Sequence, residues 1–390
     1  MKSSRQEPIH KVAIMLVVLF AVGAVWIGAR AQAISKVGSS GSSSDSSATS
    51  PTATVKKVPP RPAPACCGYP FPRETDAEIA APDVHIVHYE DSHVMFLEVA
   101  NPPMYHVHMH GHPYASVFTH DSTIGPKDPD AVPPSPEWVN GQLDPSSGYN
   151  NMAGSNAGAP AGMKWPSCNS SAPQAPHRGP YDTNLAPNHF YRIEILHQEG
   201  TDFQAHWKEW YPEMLEPEKP VKELNPAQGL GPNFSEQWPY NIAYDSIVVA
   251  PNNFKLLFED GKMRFIEVTI RPGETTPMHG DPYPTVFVYN SISGDPSLVT
   301  ETYLDPASPL NGQGGGHSGP PKLYNLTAPT CGTVAPQGPH KIHNGLTVPV
   351  HYYRVEYKRI DGDGLAANWR KWYPWMQYMQ FIQGYDVRTN

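Results

Sequence analysis

Short stretches rich in β-branched and aromatic residues recur along the chain, and turns that contain proline follow them. This composition is typical of β-strands. The clearest stretches are Val94–Val99, Ser116–Phe118, Tyr191–Ile195, Arg264–Ile270, Thr285–Val288 and Tyr352–Tyr357. In two aromatic segments, which begin at Trp207 and Trp369, Trp and Met residues recur every three or four positions. That spacing predicts a short helix packed on the strands.

The predicted strands belong to two copies of one unit. Three pairs of stretches match in the same order: 90–122 with 259–291, 168–177 with 331–340, and the segments that begin at His189 and His351. The first pair aligns without a gap and shares the sequence Met-His-Gly-x-Pro-Tyr. Three blocks in one order indicate a tandem duplication.

Composition supports an all-β chain and excludes one class of partner. The 45 prolines and 31 glycines imply many turns and long loops, which suit β-structure better than helices. A length of 390 residues accommodates two ordinary domains with accessory segments. The net charge of -9, with no long basic tract after the N-terminus, argues against nucleic acid as a partner.

The N-terminus has the layout of an export signal. Lys2, Arg5 and Lys11 precede an apolar run, Val12–Ala29, and small residues follow it. The run is also long enough to span a bilayer, so a cleaved signal peptide and an uncleaved membrane anchor both remain open for residues 1–33. Residues 34–65, rich in Ser, Pro and Thr, predict a disordered linker. We expect a periplasmic or extracellular protein that contacts the membrane only through its N-terminal segment, residues 1–33.

Two motifs in each unit resemble those of the cupin superfamily. PGETTPMHGDPYPTVFVY (272–289) is similar to the first cupin motif and APQGPHKIHN (335–344) to the second, while MHGHP (109–113) and APQAPH (172–177) offer the same pieces earlier. The chain therefore resembles the bicupins. The resemblance implies an antiparallel jelly-roll barrel followed by a short helix in each of two domains, 66–220 and 221–390. It also implies a metal in each barrel mouth, a small-molecule ligand and a tendency to form homodimers.

Carried over by position, the cupin motifs give one ligand set to each unit. The residues are His110, His112 and His177 in the first unit, and His279, Asp281 and His340 in the second. Three imidazoles suit Fe, Mn, Ni, Cu or Zn, and two histidines with one carboxylate form the set of non-haem iron oxygenases. Asp281 is either an exchanged ligand or a surface acid in a site that has lost its metal. The glutamate usual in cupin metal sites is absent from both units.

Further groups are candidates for additional ligands or for residues that support the ligands. His106 and His108 alternate with His110 and His112, which predicts four imidazoles along one strand face. The remaining candidates in this class are His343, Glu98 and Glu267. The matched pair His189 and His351 is expected at the surface.

The chain has four cysteines, Cys66, Cys67, Cys168 and Cys331. An even count in an exported chain predicts disulfides, although the sequence does not determine their pairing. In one arrangement Cys66 and Cys67 each reach one unit. In the competing interpretation, Cys168 and Cys331 are soft metal ligands.

Three functions are compatible with these observations. The first is an exported metal-binding bicupin, an oxidoreductase or lyase on a small organic molecule, with one or two divalent transition metal ions. The second is a non-catalytic binding or structural cupin of the cell envelope, which the missing glutamates favour. The third is a protein that sequesters copper or zinc.

Overall fold

The computed structural model describes residues 69–122, 166–177, 185–216, 235, 238–310 and 329–379. The predicted export segment, the linker and the pair Cys66 and Cys67 lie outside the described residues. Within these ranges no helix is long and apolar enough to cross a membrane.

The first repeat, unit 1, contains two antiparallel sheets. The larger has the strand order β1-β2-β7-β4-β5, and the smaller pairs β3 with β6. The elements are α1 (Ala77–Ala80), β1 (His85–Glu90), β2 (Val94–Asn101), β3 (His110–His112), β4 (Ser116–His120), β5 (Ser167–Ser171), β6 (Gln174–His177), β7 (Asn188–Ile195) and α2 (Phe203–Trp210), with 3-10 turns at Arg73–Thr75 and Pro212–Leu215.

The second repeat, unit 2, reproduces this arrangement. Its larger sheet has the order β8-β9-β15-β11-β13, and its smaller sheet has the order β10-β14-β12. The elements are α3 (Ser246–Val249), β8 (Phe254–Glu259), β9 (Met263–Ile270), β10 (His279–Asp281), β11 (Thr285–Tyr289), β12 (Val299–Tyr303), β13 (Thr330–Val334), β14 (Gln337–Asn344), β15 (Val350–Tyr357) and α4 (Leu365–Trp372), with 3-10 turns at Ile242–Tyr244 and Pro296–Leu298. The five-stranded sheets correspond strand by strand. The predicted fold class, an all-β duplication of a cupin-like antiparallel unit, is confirmed.

The two large sheets pack against each other through an apolar layer. Phe96 of β2 and its repeat counterpart Phe265 of β9 stack at the centre of this layer, with ring centres 4.6 Å apart. Because one face of each sheet meets the other unit and the opposite face lines its own interior, β2, β7 and β15 are buried along their whole length. This explains why these strands show no simple alternation of apolar and polar residues.

A disulfide joins the units beside this layer. It links Cys168 of β5 to Cys331 of β13, with their Cα atoms 6.2 Å apart. The arrangement in which Cys66 and Cys67 each reach one unit is therefore not the one observed. The interpretation of Cys168 and Cys331 as metal ligands is also wrong, because their sulfur atoms bond to each other.

Each helix packs on the barrel of the other unit. Phe203 and Trp207 of α2 enter the core of unit 2, whereas Leu365 and Trp369 of α4 enter the core of unit 1. Both pairs have the spacing that puts two side chains on one helix face. The predicted short helices are present, but the units have exchanged them. Each barrel core is therefore completed by the other half of the chain.

Candidate metal centre

In unit 1 the short strands β3 and β6 bring three predicted ligands together. His110 lies directly opposite His177 in the antiparallel pair, and His112 follows two residues later on the same face. The ring centre of His177 is 4.8 Å from that of His110 and 5.4 Å from that of His112. The three histidines predicted from the motifs thus form one cluster.

A fourth histidine joins this cluster and was not among the predicted ligands. The ring of His85, at the start of β1, lies 4.5 Å from the ring of His110 and 5.5 Å from the ring of His112. One nitrogen from each of these three rings falls within 4.8 Å of the others. The sequence held one signal, because the repeat aligns His85 with Phe254 and so marks a histidine specific to unit 1.

The four rings are oriented by hydrogen bonds at the same nitrogen. The Nδ1–H group of His110 donates to the carbonyl of His108 at 2.7 Å, that of His177 to Ala175 at 2.7 Å, and that of His85 to Ala81 at 3.2 Å. The fourth ring, that of His112, donates from Nδ1 to Oε1 of Glu194 at 2.9 Å. Since each acceptor requires a proton on Nδ1, the lone pair of every ring is on Nε2. Metal-binding histidines are typically fixed in this way.

The surroundings keep these imidazoles uncharged. Burial lowers the pKa of His85 to about 3 and that of His177 to about 4. Burial also holds the pKa values of His110 and His112 well below the usual value, and the neighbouring Arg192 guanidinium acts in the same direction. Neutral imidazole is the form that binds a metal ion. The donor set therefore fits a divalent transition metal at neutral pH.

Unit 2 also brings its three predicted ligands together. His279 lies opposite His340 across β10 and β14 with ring centres 4.6 Å apart, and Asp281 completes a group whose ligand atoms lie within 4.8 Å of one another. The interpretation of Asp281 as a surface acid is wrong, because its exposed fraction is 0%. Nε2 of His279 and Oδ2 of Asp281 are buried and have no hydrogen-bond partner among the residues that the structure describes. These atoms fit a metal ion.

An arginine holds the carboxylate of Asp281 in its ionised form. Burial raises the pKa of Asp281, but the Arg354 guanidinium, whose Nη1 donates to Oδ1 at 2.8 Å, outweighs it and keeps the pKa below its usual value. Arg354 also pairs with Glu356, which in turn pairs with Arg264. This buried chain of ion pairs leaves Oδ2 of Asp281 as the atom directed to the histidines.

The two centres differ in their access to solvent. His85, His110, His112 and His177 retain exposed fractions of 2–5%, whereas His279, Asp281 and His340 have none. Phe254 stands in unit 2 where His85 stands in unit 1, and its ring centre is 4.5 Å from that of His279. Both centres are therefore buried, and the unit 1 centre is slightly more exposed than the unit 2 centre.

The structure places the other predicted groups elsewhere. His106 and His108 are exposed and precede the strand, so the expected row of four imidazoles on one strand face is wrong. His343 is also exposed and contacts Thr275. Glu98 accepts hydrogen bonds from His88 and His189 and does not contact the predicted ligands.

Two buried clusters that the sequence did not predict lie where the units meet, one around His189 and one around His351. His189 and His351 are expected at the surface but are 0% and 1% exposed, because they stand on the central strands β7 and β15. His351 bonds Glu267, which also pairs with Lys255, so Glu267 belongs to an interface cluster and not to the metal centre.

Comparisons with known proteins find likeness only in structure. No protein-family model matches the chain, and no curated protein matches it. A cupin domain from Bordetella pertussis is 14% identical and covers 27% of this chain and 92% of its own, with a TM-score of 0.19. A cupin 2 conserved barrel domain protein from Leptotrichia buccalis is 7% identical, covering 70% and 88%, with a TM-score of 0.19. A variant of oxalate decarboxylase from Bacillus subtilis is 10% identical, covering 70% of both chains, with a TM-score of 0.19. At these scores the neighbours say nothing about the activity of this chain.

Proposed function

We propose that unit 1 is the active centre of a metal-dependent enzyme, and that His85, His110, His112 and His177 bind one divalent transition metal ion there. The observation that carries this proposal is the common orientation of the rings. Each Nδ1 donates to a carbonyl or a carboxylate, so each Nε2 is left as a ligand atom. Neutral nitrogen donors suit Fe, Mn, Ni, Cu and Zn.

The reaction we propose is that of an oxidoreductase or a lyase on a small organic anion. A bound ion of this kind supplies Lewis-acid or oxygen chemistry when positions in its coordination shell stay open. The residual exposure of the four histidines in unit 1 supports such access. The fully buried group His279, Asp281 and His340 of unit 2 suits an ion that stabilises the fold. We assign this structural role to the unit 2 ion.

Arg192 and Glu194 prepare the unit 1 centre. Nε of Arg192 lies 2.9 Å from Oε1 of Glu194, and Nη1 of Arg192 donates to Oε1 of Gln174 at 2.9 Å. Glu194 therefore balances the charge of Arg192 while it orients His112. Since these two charges cancel, a divalent ion leaves the group positive. A positive, nearly enclosed centre favours an anionic ligand.

The second candidate function is metal sequestration. Four protein ligands saturate a tetrahedral ion, and closed sites of that kind are structural or storage sites. The fourth imidazole, His85, is the observation that favours this alternative. The two functions differ in coordination number, because an octahedral ion with the same four ligands retains two open positions.

We also propose that the protein works outside the cytoplasm. The disulfide between Cys168 and Cys331 supports this, since such bonds persist in oxidising compartments. The basic and apolar N-terminal pattern supports it independently.

The proposal is tested on the Co²⁺-loaded chain. The electronic spectrum separates a tetrahedral ion, which absorbs strongly, from an octahedral ion, which absorbs weakly. The same preparation, and those loaded with Fe²⁺ or Mn²⁺, are then offered small organic acids while oxygen uptake and carbon dioxide release are followed. The unit 1 contribution is the difference between the spectra of wild type and the variant H110A/H112A. We expect this difference spectrum to be weak, and we expect turnover that the variant lacks. A strong difference spectrum with no turnover above that variant would replace the enzyme by the sequestration function.

A further inference from the structure

A second group of histidines lies at the edge of unit 1, away from the barrel mouth. His93 stands in the turn between β1 and β2, while His197 and Glu199 follow β7. Nδ1 of His93 is 3.4 Å from Nδ1 of His197 and 3.8 Å from Oε1 of Glu199. Each residue offers one such atom within 4.8 Å of the others. Three ligand atoms therefore converge on one point.

The separation of the two nitrogens is that of ligands on one ion. Two imidazole nitrogens about 2.0–2.1 Å from a tetrahedral zinc ion are about 3.4 Å apart. The observed separation of 3.4 Å matches this value. The distance from Nδ1 of His93 to Oε1 of Glu199, 3.8 Å, exceeds this separation by a few tenths of an ångström.

The three side chains are held in place by helix α2 and its end. The ring of His93 stacks on Tyr211 and the ring of His197 meets the edge of Trp210, with ring centres 4.4 Å apart in both pairs. The hydroxyl of Tyr211 donates to Oε1 of Glu199. The Glu199 side chain is fully buried, whereas that of His93 is 16% exposed. The carboxylate of this site is therefore buried, and solvent reaches the site at the ring of His93.

The equivalent cluster in unit 2 has permanent cations at the positions of the two histidines. The repeat aligns His93 with Lys262, His197 with Arg359 and Glu199 with Asp361. There Nζ of Lys262 lies 2.7 Å from Oδ2 of Asp361, and Nε of Arg359 lies 3.0 Å from Oδ1. Nζ of Lys262 also lies 2.9 Å from Oδ2 of Asp121, so two permanent cations face two buried carboxylates there.

In unit 1 both of these cations are replaced by histidines, which are metal ligands when neutral. The other basic group at Glu199 is His351, whose Nδ1 lies 3.4 Å from Oε2. His351 also bonds Glu267 through Nε2, so it is shared between two carboxylates. Lys255 pairs with Glu267 as well. A divalent ion at the junction would occupy the place that the side chains of Lys262 and Arg359 fill in the other cluster.

We propose that His93, His197 and Glu199 bind a divalent transition metal ion of the zinc type. The site joins the β1–β2 turn of unit 1 to the segment that leads into α2, the helix that packs in the core of unit 2. The ion therefore stabilises the junction between the units and takes no part in the unit 1 centre.

The test is a Zn²⁺ titration of the full chain that compares wild type with H93K/H197R. This variant installs the residues of the equivalent unit 2 cluster. We expect it to bind one zinc ion fewer than wild type, while the control H343K, at an exposed histidine, binds as many as wild type. The variant H110A/H112A should keep the junction ion. Equal stoichiometry and affinity in H93K/H197R and wild type would overturn the proposal.

A single substitution guards against a variant that fails to fold. H197A removes one partly exposed ring, and we expect zinc affinity at the junction to fall at least tenfold. In the H110A/H112A background, zinc should raise the melting temperature, and adding H197A should reduce that rise to the part that the unit 2 ion contributes. A folded H197A chain that keeps wild-type zinc affinity and the same rise would refute the site.

Discussion

His85 and Phe254 occupy the same position in the two repeats, and each ring centre lies 4.5 Å from that of the adjacent motif histidine, His110 or His279. In unit 1 the extra ring belongs to the proposed ligand set, and in unit 2 an apolar ring takes its place. This exchange, together with that of His112 for Asp281, gives one chain two unlike centres. One has four imidazoles that are 2–5% exposed, and the other has two imidazoles and a carboxylate that are 0% exposed.

We expect H85F to weaken metal binding in unit 1. The variant puts into unit 1 the residue that unit 2 tolerates, so the fold should persist. Removal of a residue that only supports a ligand costs roughly 10- to 100-fold in affinity, and loss of a ligand should cost at least as much. Competition with a chromophoric chelator measures the affinity, and H106F, at an exposed position, is the control. An affinity equal to that of wild type would remove His85 from the ligand set.

The two centres should release their ions at different rates. Because His279, Asp281 and His340 are fully buried, an ion bound by them has no path to solvent without an opening motion. EDTA added to the zinc-loaded chain should therefore strip the unit 1 ion before the unit 2 ion. In the H197A background, which removes the junction site, the variant H110A/H112A should lack the fast phase and H279A/D281N the slow phase. Loss of the slow phase in H110A/H112A would contradict the assignment.

Acid should destabilise the protein partly through Glu98. Burial raises the pKa of this carboxyl, but hydrogen bonds from His189 and His88 outweigh it and lower the pKa to about 2. A depressed pKa stabilises the fold above the unfolded value of about 4.5, and that contribution is lost as the pH falls from there towards 2. It amounts to about 3 kcal/mol.

The substitution E98Q should remove this pH dependence. We expect the free energy of unfolding of E98Q, from urea denaturation at pH 7 and at pH 3, to change less between the two conditions than that of wild type. The control is E74Q, at an exposed carboxylate, which should follow wild type. An E98Q profile parallel to that of wild type would show that Glu98 does not carry the effect.

The helix exchange predicts where a mutation in α4 acts. Trp369 is buried among core residues of unit 1, so W369A should cost about 3–5 kcal/mol of unfolding free energy. Hydrogen exchange should quicken first in strands β2, β4 and β7, although Trp369 belongs to the second repeat. The mirror variant W207A should affect β9, β11 and β15. If hydrogen exchange became faster only in the repeat that carries the mutation, the proposed swap of helices between the units would be contradicted.

The sequence predicted the duplication from its internal repeats and the strands from their local composition, and the resemblance to the cupin motifs pointed to six candidate ligands, which the structure brings together in two clusters. It did not reveal His85, since a lone histidine before a strand has the same local pattern whether it is exposed or a ligand. Helical spacing identified the apolar face of Trp207 and Trp369 but not the core that this face enters. His189 and His351 seemed to be surface residues because their burial comes from the packing of two sheets, which no local pattern records.

The most direct measurement of the central claim is an anomalous difference map, recorded at the metal absorption edge from crystals of the Co²⁺- or Zn²⁺-loaded chain. We predict a peak about 2.0–2.1 Å from Nε2 of His85, His110, His112 and His177. A map without a peak among these four rings, or with a peak that His85 does not contact, would contradict the account.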